Sequence, residues 1–344
     1  MARVVVTGAA SSLGRRVRAL LATRDDVESV VGLDTVLPTG HGVEPHRVDL
    51  VTGDLAPLLQ GADAVLHLAT SFVTDPDEAE VAGAADVTAA RRVLDAAAAA
   101  GVERVVLVGT ATVYGPWATN PVPLTEDAPL RPHPDLAFAV QAAEVERLAA
   151  EAERDHPGLA VARLRPTTLV GDPERAWLAE ALDAASQLPP GDDTPAQYLH
   201  VDDLAAAVVV AWSAGLDGPL NVAPAGWLTP TERRALDPVP RVRLPEGVAL
   251  GIAQWRWRLG LAPTSPGILA YARHSWVVAA DRLLDAGWEP ANTNEEAYVV
   301  GHEASPIEQI SPQRRQELAL GVLGGVVAAV GAGIALAVRR RRRA

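Results

Sequence analysis

The chain has no cysteine and no lysine, so each of its 30 basic side chains is an arginine. The first absence excludes disulfides, thiolate catalysis and cysteine-ligated metals, and it leaves the compartment unreadable from redox usage. The second removes any ammonium that could lower the pKa of a neighbouring acid. Arginine, with a pKa above about 12, cannot stand in as a general base. Positive charge is short as well: 43 acidic residues against 30 arginines give a formal charge of −13, which repels a phosphate backbone everywhere except at a local basic patch. No nucleic-acid partner is expected. Nor is a metal, because neither His67 nor His200 has a partner at ligand spacing, and both read as structural histidines at strand ends. The N-terminus passes from Met1 into an apolar run without a signal peptide's separate apolar region and cleavage site, which argues against export by the usual route.

What is present is a chain of 344 residues, 49% apolar, long enough to bury a full α/β core. The β-branched residues 4–6 lead into Thr7-Gly8-Ala-Ala-Ser11-Ser12-Leu13-Gly14 and then into an Arg/Leu/Ala helix over 15–22. Strand, glycine turn and helix in that order open a βαβ unit, in which amides at the helix N-terminus receive a pyrophosphate. The next apolar run, 30–33, ends in Asp34, twenty residues beyond Gly14. A carboxylate there is placed to bind a ribose 2′-hydroxyl and to repel a 2′-phosphate, so NAD is expected over NADP.

The strand-then-helix rhythm continues. Strands at 29–34, 64–68, 104–108 and 160–164, with helices at 88–100 and 135–155, predict a Rossmann-type doubly wound parallel sheet in an α/β fold. Beyond Pro166 the texture changes to prolines, tryptophans and short elements. The globular part is therefore expected over 1–300, with its core mainly in 1–166 and a smaller C-terminal lobe from segments of 167–300. Asp202-Asp203 is expected to cap a helix over 204–212 by accepting its free amide hydrogens. Trp255-Arg-Trp-Arg258 reads as a helix face packed on the small lobe, although its tryptophans could instead stack on a sugar or base while its arginines hold phosphate. Glu295-Glu296 reads as solvated.

Residues 301–317 carry two Ser-Pro turns and read as a linker. The next 21 residues, 318–338, have no charged or polar side chain, which is the length needed to cross a hydrocarbon layer of ~30 Å. The basic tail 339–344, with five consecutive arginines, reads as a membrane-flanking anchor. The expectation is a single-pass C-terminal transmembrane helix. The arginines by themselves favour the cytoplasm, but translocating a folded acidic domain without an export signal is harder than moving a short tail, so the globular domain is expected in the cytoplasm. Gly321-x-x-x-Gly325 permits close pairing of two such helices and so a homodimer.

Over roughly the first 300 residues, further motifs follow in one order: Asp49-Leu50, His67-Leu68-Ala69, Gly109-Thr110-Ala-Thr-Val-Tyr114-Gly115, Arg165-Pro166-Thr-Thr-Leu-Val-Gly171, His200-Val-Asp-Asp-Leu204 and Leu220-Asn-Val222. With the glycine loop, this series resembles the extended short-chain dehydrogenase/reductase family, specifically the NAD-dependent epimerases and dehydratases that act on nucleotide sugars. The resemblance implies a cofactor held by Gly8, Ser11, Ser12, Leu13 and Gly14, with Asp34 on the ribose. It implies Asp49 and Leu50 beside the adenine, Leu68 and Ala69 near the cofactor ribose, Pro166 along the cofactor, and Thr110 as the catalytic hydroxyl. Tyr114 would serve the shape of its turn.

The departures from the family pattern are specific. Ser11 replaces the middle glycine of the loop, adding a side chain but also a hydroxyl that can donate to phosphate. Asp86 stands where the family usually has asparagine. Where the family carries Tyr-x-x-x-Lys, the chain reads Phe138-Ala-Val-Gln-Ala142, in a register set by Ala143-Glu-Val-Glu146. Hydride leaves a carbinol carbon only as its hydroxyl proton is taken, and such general acid–base help is worth about 10²–10⁴-fold. Thr110 can orient a substrate but accepts a proton poorly. The sequence thus points to a membrane-tethered family member that binds NAD and a nucleotide-linked sugar with standard hydride chemistry impaired. The alternative is a non-catalytic NAD-sensing or scaffolding module at the membrane, and whether the protein turns over is left open.

Overall fold

The computed structural model describes residues 1–40, 42–70, 76–172, 174, 176–186, 194–236, 246–259 and 265–302. Met1–Gly301 forms one compact unit. The expected membrane helix 318–338, the arginine tail and the linker beyond residue 302 lie outside the described residues. Among the described residues, no helix is long and apolar enough to cross a membrane.

In chain order, β1 (Ala2–Thr7), α1 (Ser12–Leu21), β2 (Val27–Asp34), β3 (Val43–Arg47), α2 (Ala56–Leu59), β4 (Ala64–His67), α3 (Pro76–Ala100) and β5 (Arg104–Val108) build the first part of the sheet. A 3-10 turn at Ala111–Tyr114 leads to α4 (Ala137–Asp155), β6 (Ala160–Pro166), β7 (Thr168–Val170), α5 (Trp177–Ser186), β8 (Tyr198–His200), α6 (Val201–Ser213) and β9 (Gly218–Val222). Short helices complete the unit: α7 (Pro230–Leu236), α8 (Glu246–Arg258), α9 (Ile268–Arg273), α10 (Asp281–Asp285) and α11 (Asn294–Gly301).

The main sheet has seven parallel strands in the order β3-β2-β1-β4-β5-β6-β9. Because successive side chains along a strand point to opposite faces, the β-branched runs feed two cores at once. Val4, Val6 and Leu66 pack with Leu13 and Val17 of α1 and Val208 of α6. Val5, Val65 and Leu107 pack on the other face with Val93 and Leu94 of α3 and Leu148 of α4. The expected doubly wound sheet is therefore present. Strand order reverses between β1 and β4, and in such sheets ligands bind outside the carboxyl ends of the strands at that reversal.

The structure differs from the expected elements in informative places. Helix α1 opens at Ser12 rather than residue 15, and α3 opens at Pro76 rather than residue 88, with a proline tolerated in the first turn because its missing N–H would have no partner there. Although β9 and α6 come from beyond Pro166, they return to the main sheet, so the core is not confined to 1–166. The smaller lobe gathers around Tyr114, Leu178, Tyr271 and Trp276, with β7 and β8 pairing apart from the main sheet. Helix α6 is not capped by its two aspartates. It opens at Val201, and His200 caps it by accepting from the Asp202 amide at 3.3 Å.

Candidate functional site

At the sheet reversal, β1 runs into Gly8, whose φ of +67° places a hypothetical Cβ 2.8 Å from the Ala69 amide nitrogen beyond β4. A Cβ on Gly14 would stand 2.1 Å from the Gly8 carbonyl oxygen. Both positions require glycine because the loop folds directly onto its neighbours. Ser11 caps α1: its hydroxyl accepts from the Gly14 amide at 3.0 Å and donates to the Gly8 carbonyl at 2.7 Å. The hydroxyl expected to reach a phosphate is thus spent on the loop itself. Leu13 is fully buried in the core, so its side chain packs the helix and only its backbone can face a ligand. Ser12 and Leu13 lie in the first turn, where amides have no carbonyl one turn back to bond. The Ser12 amide donates instead to Glu174 Oε2 at 2.8 Å.

Asp34 ends β2 beside this loop. Its Oδ2 accepts from the Ala10 amide at 2.9 Å, and its Oδ1 accepts from the Val36 amide at 3.2 Å and the Thr35 hydroxyl at 3.3 Å. Arg18 is buried nearby with both terminal nitrogens on the Thr39 carbonyl. Burial first, and then Arg15, hold its guanidinium below the usual pKa, while Asp34 acts in the opposite sense. Asp49 Oδ1 accepts from the Val51 amide at 2.8 Å, and Leu50 is buried. His67 Nδ1 meets the Thr7 hydroxyl at 2.8 Å across β1 and β4, fixing the strand end from which the buried Leu68 and part-buried Ala69 follow. Thr70 donates to Asp86 at 2.9 Å. These residues all follow or end strands at the carboxyl edge of the sheet, from β3 to β6, with Pro166 buried at the end of β6.

The reacting end is different in character. Thr110 is 4% exposed and caps the 3-10 turn, and among the described residues its hydroxyl partners are the Thr112 hydroxyl and amide, both at 3.2 Å. Phe138 lies edge-on to Trp177 with ring centroids 4.9 Å apart. One turn on, Ala142 packs with the apolar cluster of the smaller lobe. Neither side chain can accept a proton.

Tyr114 offers no substitute base. Its hydroxyl donates to Asn221 Oδ1 at 2.7 Å and accepts from Arg165 at 2.6 Å, and burial pushes its pKa up to about 12. Arg165 also grips Glu146 of α4 through two bonds of 2.7 and 2.8 Å. This buried chain of Glu146, Arg165, Tyr114 and Asn221 joins α4, β6, the 3-10 turn and β9. Sequence reasoning did not assemble it. The available signal was the pair Arg163 and Arg165 alternating within the otherwise apolar run that ends at Pro166.

Other sequence candidates separate from this centre. Asp202 pairs with Arg16 at 2.5 Å, whereas the buried Asp203 accepts from the amides of Ala291 and Asn292 and from the Asn292 side chain. Glu295 and Glu296 are exposed, and Glu296 caps α11 by accepting from the Thr293 amide at 2.9 Å. Among the described residues no group of three or more His, Cys, Asp or Glu side chains could hold a metal. Trp255 lies on a helix as expected but faces solvent, 61% exposed rather than packed. It shares a stripe with Val248 and Ile252, on the face of α8 away from Ala253, which packs against the lobe. A small pocket opens in the smaller lobe, where Thr168, Asp183, Gln197, Tyr198 and Arg233 line it together with apolar residues such as Leu182 and Trp276. The Arg233 side chain is 7% exposed, and its Nε has no hydrogen-bond partner among the described residues.

Comparison with known proteins places this geometry. The NAD dependent epimerase/dehydratase family matches residues 4–223. An uncharacterized protein of Mycobacterium tuberculosis is 28% identical over 336 residues, spanning 90% of this chain and 86% of its own length. A UDP-glucose 4-epimerase of Azospirillum brasilense is 31% identical over 243 residues, spanning 61% of this chain and 68% of its own. Among solved structures, MoeE5 in complex with UDP-glucuronic acid and NAD superposes with a TM-score of 0.64 at 22% identity, over 88% of this chain and 98% of that one. The UDP-glucose 4-epimerase of Thermus thermophilus in complex with NAD gives a TM-score of 0.62 at 22% identity, over 87% and 97%. These structural likenesses establish the shared fold.

Proposed function

Since the chain belongs to the NAD dependent epimerase/dehydratase family, we propose that it binds NAD at the mouth of β1 and β4 and a nucleotide-linked sugar in the smaller lobe, with standard hydride chemistry impaired. The observation that carries the cofactor half is the Gly8–Gly14 turn, closed so tightly that a Cβ at Gly14 would meet the Gly8 carbonyl, with Asp34 hydrogen-bonded to Ala10 beside it. That arrangement presents helix amides to a diphosphate and a carboxylate to a ribose. NAD, when bound, supplies a hydride acceptor. The chain's own part is to hold it with the loop amides and Asp34 and to orient a substrate hydroxyl with Thr110. The sugar-nucleotide half is supported by the UDP-sugars named for the relatives, and by the hydrogen-bonding groups of Thr168, Gln197 and Arg233 among the apolar walls of the lobe pocket.

The impairment follows from Phe138 and Ala142, which put an aromatic edge and a methyl where a proton acceptor and an ammonium are needed. Those two residues favour a second reading, in which the fold serves as a non-catalytic NAD-sensing or scaffolding module. In both readings the 21-residue apolar segment 318–338 tethers the protein to a membrane, with the globular unit on the cytoplasmic side and a homodimer permitted by Gly321 and Gly325.

Calorimetric titration tests the cofactor site. NAD should bind more tightly than NADP, and Asp34→Ala should narrow the difference; equal affinities in the parent protein would remove Asp34 from the ribose. NAD-dependent turnover of a panel of UDP-sugars separates the two readings, since robust turnover lost on Thr110→Ala would exclude impairment. Recovery of the full chain in the soluble fraction would refute the membrane helix.

A further inference from the structure

The amide that the fold prepares for a cofactor diphosphate is already in use. Ser12 N–H, in the first turn of α1, donates to Glu174 Oε2 at 2.8 Å across 162 positions of sequence, and Glu174 Oε1 stands 3.7 Å from the Arg15 guanidinium. A carboxylate here makes the contacts a phosphate would make: a helix-terminal amide and a cation at the positive end of the helix dipole. A bound dinucleotide would bring its diphosphate against this carboxylate, and like charges at that range repel.

We infer that Glu174 is an internal competitor for the diphosphate, so that NAD binds only by displacing it. This inference rests on the cofactor reading above. Two further observations support a second arrangement of the same segment. Asp172 Oδ1 accepts from the Glu174 amide at 2.9 Å, while Asp172 Oδ2, in a side chain only 1% exposed, has no hydrogen-bond partner among the described residues. A buried orphan acceptor is a cost carried by this arrangement. Three residues further along the chain from Glu174, Trp177 lies against Phe138. One short stretch thus touches both the diphosphate end and the position of the missing catalytic tyrosine. Displacing Glu174 also frees Arg15 for the incoming diphosphate. The Glu174 and Arg15 side chains are 47% and 54% exposed, and an exposed ion pair is weak, so the plug yields to a ligand of higher charge. The cofactor site therefore reports occupancy by releasing the Glu174 carboxylate from the Ser12 amide.

The population arithmetic sets the expected effect. A carboxylate in place nine-tenths of the time weakens a competing ligand about tenfold. Glu174→Gln keeps the size and removes the charge. In the full-length protein, calorimetry should show NAD and inorganic pyrophosphate binding about tenfold more tightly to Glu174→Gln than to the parent, with adenosine, which has no diphosphate, gaining nothing. Thermal melts of both proteins establish that the variant is folded. Binding of NAD by the variant but not by the parent supports the inference outright. Unchanged or weaker NAD affinity in the variant overturns it while leaving the cofactor reading intact, as does an equal gain for adenosine, which would signal general loosening. Absence of NAD binding to both proteins overturns the inference and the cofactor reading together.

Discussion

Truncating Glu146 tests how the helix that carries positions 138 and 142 is held. Its carboxylate takes two hydrogen bonds from Arg165, at 2.7 and 2.8 Å, with the two side chains 6% and 5% exposed. Arg165 keeps two further partners, the Tyr114 hydroxyl at 2.6 Å and the Glu126 carbonyl at 3.2 Å, but neither carries a compensating charge. Glu146→Ala therefore leaves a buried guanidinium without a counter-ion, which costs about 3–5 kcal/mol. For a domain of this size each kcal/mol corresponds to about 2 °C, so the melting temperature should fall by about 6–10 °C. Replacing both partners with apolar residues of similar volume, Glu146→Leu with Arg165→Met, removes both charges and should cost far less than the two single changes summed. The expected coupling is about 2–3 kcal/mol. Urea unfolding followed by far-ultraviolet circular dichroism measures all four corners of the cycle. A single-mutant cost below about 1 kcal/mol, or additive singles, would refute the claim that this pair clamps α4 to β6.

Two other predictions follow from the same site. Phe138→Tyr with Ala142→Lys restores a proton acceptor and an ammonium one turn apart, and should raise NAD-dependent turnover of a UDP-sugar by about 10²-fold or more over the parent, measured by chromatography of the sugar-nucleotide product; no gain with NAD binding retained would show that another defect limits the chemistry. Tyr114 carries a pKa raised from 10.0 to about 12, so the stability it contributes is present below pH 10 and lost as the pH rises toward 12, an effect of about 2–3 kcal/mol. Tyr114→Phe should therefore make unfolding midpoints decline less steeply between pH 9 and 11.5 than in the parent, and an unchanged decline would assign that alkaline sensitivity elsewhere.

The parts of the fold legible in sequence are those whose signal is local. Residues 4–6, the glycine turn and Asp34 lie within one βαβ opening, and periodicity located α4 to within two residues of its start. Edge strand β3, Val-Glu-Pro-His-Arg, was not legible because it has no apolar run, and its Pro45 is tolerated only because an edge strand need not donate on its outer side. The start of α3 was missed because the acidic residues after Pro76 show no helical periodicity. Asp203 looked like a cap because local pattern places it at a helix start; the amides of residues 291 and 292, 88 positions away or more, claimed it instead. The Glu174 contact with Ser12 is longer-range still. Trp255 shows the opposite limit, since sequence identified its helix but not which face the lobe would leave uncovered.

The Asp203 clasp decides where this chain can be severed. Trp288 is 1% exposed and donates to the Asp203 carbonyl at 3.0 Å, and the Asn294 side chain accepts from the Tyr198 amide and donates to the Ala225 carbonyl. A cut before Trp288 strands a buried carboxylate and a buried amide and removes a core tryptophan at one stroke, so the shortened product enters the unfolded pool on which proteases act. A cut beyond His302 leaves every one of these bonds in place and Met1–Gly301 whole. The boundary between destruction and survival under proteolysis thus falls within about fifteen residues, and it is drawn by one carboxylate at the start of α6.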